Sequence, residues 1–371
     1  MNKYSIDIKK YASFLDATCD YDGEIIQLSN RITENNDEDA AVALYDKTSS
    51  FEDKDERVRK IAKALQEALV LNLGYEKIRG IIKDKHSQQT DTRNLKELLD
   101  DLNRLIGLNK VKSKVSDLID FQKVQIARRK VGLKNPKGTL HLAFTGNPGT
   151  GKTTVARIIG HIYKKIGLLS KGQFIEVSRT DLIAGYQGQT ALKVKEVIER
   201  AKGGVLFIDE AYSITENDHS DSYGRECLTE LTKALEDYRQ DLVVIVAGYT
   251  EPMKQFFESN PGLKSRFNTF IEFDDYGEEE LFDILEFMCK DNDYALTTDA
   301  VESIKKFIGN AVANKQDDFA NGRFVRNLFD ELIMNQAKRI ARNENLDQES
   351  MVNLNEEDVA VLNCADLLKK S

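Results

Sequence analysis

Two rhythms of apolar and polar residues divide the chain. Residues 1–93 carry a helical period, clearest in VRKIAKALQEALVLNL (58–73), and a polar, acidic stretch, TENNDEDA (33–40), suited to a loop or a solvated face. Apolar residues then vanish across DKHSQQTDTRN (84–94), the pattern of a linker. From 94 to 273 short apolar segments alternate with longer amphipathic ones. TLHLAFT, QFIEV, GVLFI, LVVIVAG and TFIEF read as strands, several apolar almost throughout, as a parallel sheet covered on both faces requires. Helices between successive strands imply right-handed crossovers and an α/β layer sandwich, with its ligand site at the carboxyl ends of the strands. Residues 274–371 show only helical patterns, among them EEELFDILEFMCK, TDAVESIKKFIGNAVANK and GRFVRNLFDELIMNQAKRIAR. The expected organisation is a helical N-terminal region (1–93), an α/β domain (94–273) and a small helical domain (274–371).

The first apolar strand runs into GNPGTGKTT, which fits GxxxxGK[ST] with Gly146, Gly151, Lys152 and Thr153. Glycines let the backbone of Gly146, Asn147, Pro148, Gly149, Thr150 and Gly151 curl so that its successive N–H groups point at a phosphate. Lys152 reaches the β and γ oxygens, Thr153 offers its hydroxyl to Mg2+, and the helix that begins near Thr154 adds its positive end. A chance match in a glycine-rich turn is the competing reading, and the strand before and helix after count against it. GGVLFIDEAY (203–212) supplies an apolar strand ending in two acids. Asp209 is placed to hold Mg2+ and Glu210 to polarise an attacking water. Alone, such a pair is as readily a helix cap; following a phosphate loop, it points to nucleotide hydrolysis.

Composition narrows the classes. A chain of 371 residues exceeds what one core usually serves. With 41% hydrophobic and 31% charged residues it has the make-up of an ordinary soluble protein, and a net charge of −9 argues against a protein that coats nucleic acid. The four cysteines form no CxxC pair and the four histidines show no ligand spacing, so neither a zinc site nor a disulfide framework is expected, and a reducing cytoplasm fits. The start, MNKYSIDIKKYASF, has no apolar leader core, and the longest apolar run, LVVIVA (242–247), is too short to span a bilayer.

From NLKELLDDLNRLIGLNKVK to GRFVRNLFDEL the sequence resembles the AAA+ ATPases, and within them the CbxX/CfqX branch that holds the red-type Rubisco activase and stage V sporulation protein K. The phrases that carry the likeness are IGLNKVK, LHLAFTGNPGTGKTTVAR, DLIAGYQGQTALKVKEVI, GGVLFIDEAYSI, YGRECLTELTKALED, VVIVAGYTEPM, NPGLKSRF and NGRFVRNLFD. The resemblance implies a P-loop AAA+ three-layer sandwich with a parallel five-stranded sheet, a C-terminal helical lid, ATP and Mg2+ as ligands, and hexameric rings. It implies that Ile106 and Gly107 flank the adenine. It also implies that Thr250 occupies the sensor-1 position at the end of a strand, where many relatives carry Asn. Arg266 in SRF matches the arginine finger offered to a neighbouring subunit, with Lys264 where many relatives have a second Arg. Arg323 matches sensor 2, ahead of Arg326, and Tyr186 in AGYQG matches the pore-loop aromatic.

Each residue also has a plainer reading: a solvated surface cation for Arg266, a helix cap or ion pair for Arg323, a locally packed turn residue for Tyr186. TENDHSDSYG (215–224) reads either as a second pore loop or as a plain surface loop. The expected function is an ATP-driven remodeller of an unidentified protein target. Two alternatives stand beside it: a nucleic-acid-directed ATPase using the basic run 123–138, and an ATP-gated scaffold whose N-terminal helices recruit a partner.

Overall fold

A computed structural model of the chain describes residues 3–19, 21–35, 37–49, 51, 55–73, 93–134, 139–186, 188–215, 222–341, 347–364 and 367–368. The chain separates into two units, Met1–Thr90 and Asp91–Ser371. In the first, α1 (Lys3–Cys19), α2 (Glu24–Asn35), α3 (Glu38–Ser49) and α4 (Glu56–Leu73) pack around Ile8, Leu15, Ile25, Leu44 and Leu65, each with no exposed surface. Asp16 is buried yet satisfied, accepting from the backbone N–H groups of Gly23 at 3.1 Å and Ile26 at 2.8 Å, so it fixes the turn into α2.

The second unit opens with α5 (Leu95–Arg104), whose start is fixed by a reciprocal cap. The Asn94 side chain accepts from Glu97 N–H while Glu97 accepts from Asn94 N–H. Then follow α6 (Asn109–Lys130), β1 (Leu142–Gly146), α7 (Lys152–Lys165), β2 (Phe174–Val177), α8 (Arg179–Leu182), α9 (Gln189–Ala201) and β3 (Val205–Ile208). After these come α10 (Ser222–Asp237), β4 (Val243–Gly248), α11 (Thr250–Glu258), α12 (Pro261–Lys264) and β5 (Thr269–Phe273). The five strands form one parallel sheet in the order β2-β3-β4-β1-β5.

Alternation along each strand shows why the central segments are apolar throughout. Val243, Ile245 and Ala247 of β4 face the core shared with α5, α6 and α7, while Val244 and Val246 face the core shared with α9, α10 and α11. At the edge, β5 needs only one apolar face: Ile271 and Phe273 are buried, Phe270 and Glu272 exposed. His141, fully buried immediately before β1, lies close to Leu235 O (3.0 Å to Nε2) and accepts from Val244 N–H at Nδ1 (3.1 Å). It thereby joins α10 to β4, and burial pushes its pKa down to about 4.

The lid comprises α13 (Glu278–Asp291), β6 (Ala295–Leu296), α14 (Thr298–Ala313), α15 (Gly322–Ile340), α16 (Gln348–Val352), β7 (Asn353–Leu354) and α17 (Glu356–Ala360) around Leu281, Leu285, Ile304, Phe324 and Leu328. The purely helical expectation for this region needs one correction: β6 and β7 pair in parallel through two residues each. Two residues are too few to show a period of two. Among the described residues, no helix is long and apolar enough to cross a membrane.

Candidate functional site

A cleft of about 840 Å3 opens at the carboxyl ends of β1, β3 and β4, between the sheet domain and the lid. Its floor is the loop between β1 and α7. Gly146, Gly149 and Gly151 hold φ of 140°, 70° and 91°, angles an L side chain rarely adopts. Gly149 is further constrained by closeness: a Cβ there would lie 2.2 Å from Ala320 O. Lys152 begins α7, and its ammonium donates to Gly146 O (2.8 Å) and Asn147 O (2.7 Å), both carbonyls of its own loop. Burial pulls its pKa down to about 8; nearby Asp209 works against that and Arg323 with it. A lysine so placed gains from an anion.

Asn147 and Thr150 do not line the cleft; they brace the loop. The Thr150 hydroxyl donates to Asn147 O at 2.8 Å, and Asn147 Nδ2 donates to Asp275 Oδ1 and to Asp317 O. Pro148, Thr153 and Thr154 are on the wall.

Asp209 and Glu210 follow β3 directly and both face the cleft. Glu210 holds φ 47°, a left-handed angle that costs a non-glycine residue energy, and its N–H donates to Asp209 Oδ1 at 3.0 Å. Its carboxylate is exposed to the cleft while Asp209 is half-buried. Such outliers persist where surrounding structure over-determines them.

On the other side, Leu105, Ile106 and Leu108 between α5 and α6 meet Ile284, Phe287 and Met288 of the lid in an apolar wall. Gly107 turns the chain there at φ 61°, and a Cβ would lie 2.3 Å from the Glu280 carboxylate. Arg323 and Arg326, both exposed, extend from α15 into the cleft. Tyr276 closes the back, its hydroxyl donating to Thr150 O at 3.3 Å.

Beyond Asn147 and Thr150, four more expected residues lie outside the cleft walls: Gly107, Thr250, Arg266 and Tyr186. The resemblance puts Thr250 at the end of a strand, but β4 ends at Gly248, and Thr250 is the first residue of α11 because Tyr249, in extended conformation, takes the cap position. Tyr249 lines the cleft instead. Arg266 follows α12; its Nη1 donates to Gly262 O at 2.6 Å and its carbonyl accepts from the Thr139 hydroxyl at 2.7 Å. Its Nε is buried without a partner. Tyr186 is 74% exposed between α8 and α9. Most of the stretch 215–224 lies outside the described residues, as does the end of the basic run 123–138; within that run Arg128, Arg129 and Lys130 are exposed at the end of α6. Sequence reading also missed Tyr249, Asp275, Tyr276 and Asn321. NGRFVRN held the one available signal, an Asn-Gly pair opening a helix.

Residues 142–275 match the family model of ATPases associated with various cellular activities (AAA), and residues 277–366 match the AAA lid domain. Protein CbbX of Cereibacter sphaeroides is 44% identical over 267 residues, 71% of this chain and 86% of that protein. The chain is a AAA+ ATPase. Within that family it groups with the CbbX and CfxQ proteins: Protein CfxQ of Xanthobacter flavus is 41% identical over 256 residues, covering 69% of this chain and 80% of that one. A chloroplastic ribulose bisphosphate carboxylase/oxygenase activase from Cyanidioschyzon merolae is 43% identical over 247 residues, 66% of this chain and 84% of its own. The ADP complex of the FIGL-1 AAA domain shares the AAA+ fold, with a TM-score of 0.52 at 18% identity, over 71% of this chain and 83% of that one.

Proposed function

We propose that this AAA+ ATPase works as a homo-oligomeric ring, a hexamer, that uses ATP hydrolysis to remodel a protein target gripped by Tyr186. One observation carries the reading: the only large apolar side chain exposed between α8 and α9 among the described residues is Tyr186, which is not part of the cleft wall and lies between Gly185 and Gly188 in sequence. A ring of such aromatics grips polypeptide through packing that tolerates many sequences. That one relative is named an activase of a protein enzyme fits a protein target.

Within the cleft, Lys152 and the loop N–H groups bind the phosphates, Ile106 and Gly107 border the base, and Glu210 orients and deprotonates water. Arg323 balances charge from the lid, and Thr250 acts from the start of α11. The residues fit Mg2+ arriving with its nucleotide. Among the described residues no group of three or more metal-binding side chains exists, and one hydroxyl (Thr153) plus one carboxylate (Asp209) is the sparse set that Mg2+ accepts when phosphates supply the rest. The ion contributes neutralisation of phosphate charge; positioning belongs to the protein. Arg266, outside its own cleft, completes the neighbour's. The N-terminal helices select the target, and four free cysteines suit a reducing cytoplasm.

The Glu210→Gln protein, held in ATP, serves to capture and identify the target. With that target, Tyr186→Ala should keep ATP affinity and basal turnover within about a few fold while losing stimulation and remodelling, and Tyr186→Phe should retain them. Full remodelling by Tyr186→Ala would overturn the grip and favour a gated scaffold.

A further inference from the structure

The phosphate loop is gripped from two sides. From within, the Lys152 ammonium holds the carbonyls of Gly146 and Asn147. From the lid, Gly322 N–H donates to Gly149 O at 3.1 Å, and Asn321 Nδ2 lies 3.4 Å from Pro148 O. Four consecutive carbonyls are thus shared between the residue that meets phosphate and the first turn of α15.

Asn321 is the centre of the lid-side grip. It is fully buried, and its backbone sits at φ 46°, ψ −115°, a conformation costly for any residue with a side chain. Its Oδ1 accepts from Tyr276 N–H at 2.9 Å, and its Nδ2 donates to Asp275 Oδ1 and to Phe319 O, both at 2.8 Å. Asp275 also accepts from Asn147 of the loop (3.0 Å) and from Lys315 of the lid (2.7 Å). Burial raises the pKa of this carboxyl, but those three donors outweigh it and hold it below the usual carboxylate range, so it is a fixed anion. A strained, fully bonded polar residue at the seam of two domains is kept where it sets geometry. Two residues further on, the chain delivers Arg323 into the cleft.

We propose that Asn321 is a positioning residue that couples the phosphate loop to the lid, so that occupancy of the loop sets the placement of α15 and of Arg323. When Lys152 turns from the loop carbonyls to a bound anion, the inner grip on the loop is released. The outer grip passes that rearrangement to α15 through backbone it holds directly. A ligand shifts the lid only by its differential affinity for the two arrangements, and the shared carbonyls provide that difference. This inference rests on the cleft being the nucleotide site, not on ring assembly or threading.

Hydrogen exchange of the full chain with and without ADP tests it, alongside steady-state ATPase. In the wild type, ADP should slow exchange in both 152–157 and 322–327. Asn321→Gly accepts the backbone angle without strain and removes only the side chain. It should keep ADP affinity within about threefold and protection of 152–157, lose protection of 322–327, and lower kcat about tenfold or more with little change in KM. Protection of both segments with wild-type kcat would overturn the coupling. So would loss of ADP binding in parallel with kcat, which marks a scaffold residue only. Should Asn321→Gly fail to fold, Asn321→Ser, which retains an acceptor for Tyr276 N–H, carries the same comparison. Lys152→Ala separates the layers: it should lose protection of both segments, and undiminished protection in that variant would overturn the role given to Lys152, whereas ADP that protects neither segment in the wild type would sink the nucleotide reading itself.

Discussion

Lys152 shows how one residue's setting determines what it does. Its ammonium has only backbone carbonyls for company at hydrogen-bond distance, and burial leaves it with a pKa of about 8 instead of 10.5. A bound polyphosphate favours the charged form, so it raises that pKa again. Between pH 8 and 10, then, binding must take up a proton, approaching one per site near pH 9 and close to none at pH 7. Calorimetry of MgATP binding in buffers of different ionisation enthalpy reads that uptake directly. No uptake at pH 9 would show that the ammonium does not meet the phosphates. Lys152→Ala should abolish both the uptake and measurable ATP binding. At the same scale Glu210 carries backbone strain that no sequence pattern announces, since its left-handed angle is imposed by the turn from β3 into the short helix at Ala211–Thr215.

Among the elements, the sheet depends on a side chain that sequence reading passed over. His141 is held neutral by burial, with the Arg266 charge nearby adding to the effect and the Leu235 carbonyl opposing it. The folded chain keeps it unprotonated down to about pH 4, whereas the unfolded chain binds a proton below about 6.5. Its contribution to stability is therefore complete above pH 6.5 and is lost as pH falls toward 4, by about 1 kcal/mol at pH 5.5 and about 3 kcal/mol at the end of the window. Urea unfolding of the 91–371 unit across pH 7.5 to 5.5 should show that slope, and His141→Asn, less stable at neutral pH, should flatten it. An unchanged midpoint in the wild type would contradict the buried neutral imidazole. The strands and the phosphate loop were legible because their patterns are local: an apolar run covered on both faces, glycines at fixed offsets before Lys152. Tyr249, Asp275 and Asn321 were not, because each acquires its role from partners far along the chain, as when Asn321 meets Pro148. The edge strand β5 was read from TFIEF, but nothing in that segment says that it pairs with β1 alone.

At the scale of the whole molecule, the cleft joins three separate stretches of chain: the α5–α6 turn, the strand ends and the lid. Its walls hold one strong base candidate and one phosphate lysine, but Arg266 lies elsewhere, anchored by Thr139 and Gly262 with its Nε unpaired. On the proposed account each cleft is finished by the next subunit, which makes hydrolysis a property of the assembly and lets turnover at one interface move Tyr186 at another. The most direct measurement mixes two proteins, Arg266→Ala and Glu210→Gln, and follows ATPase activity against the fraction of each in rings shown to be mixed. Each alone should be nearly inactive, since loss of a finger costs about three to five orders of magnitude in rate. Mixed rings contain interfaces that pair an intact Glu210 with an intact Arg266, and activity should return in proportion to their number. Mixed rings that stay as inactive as either parent would contradict the account.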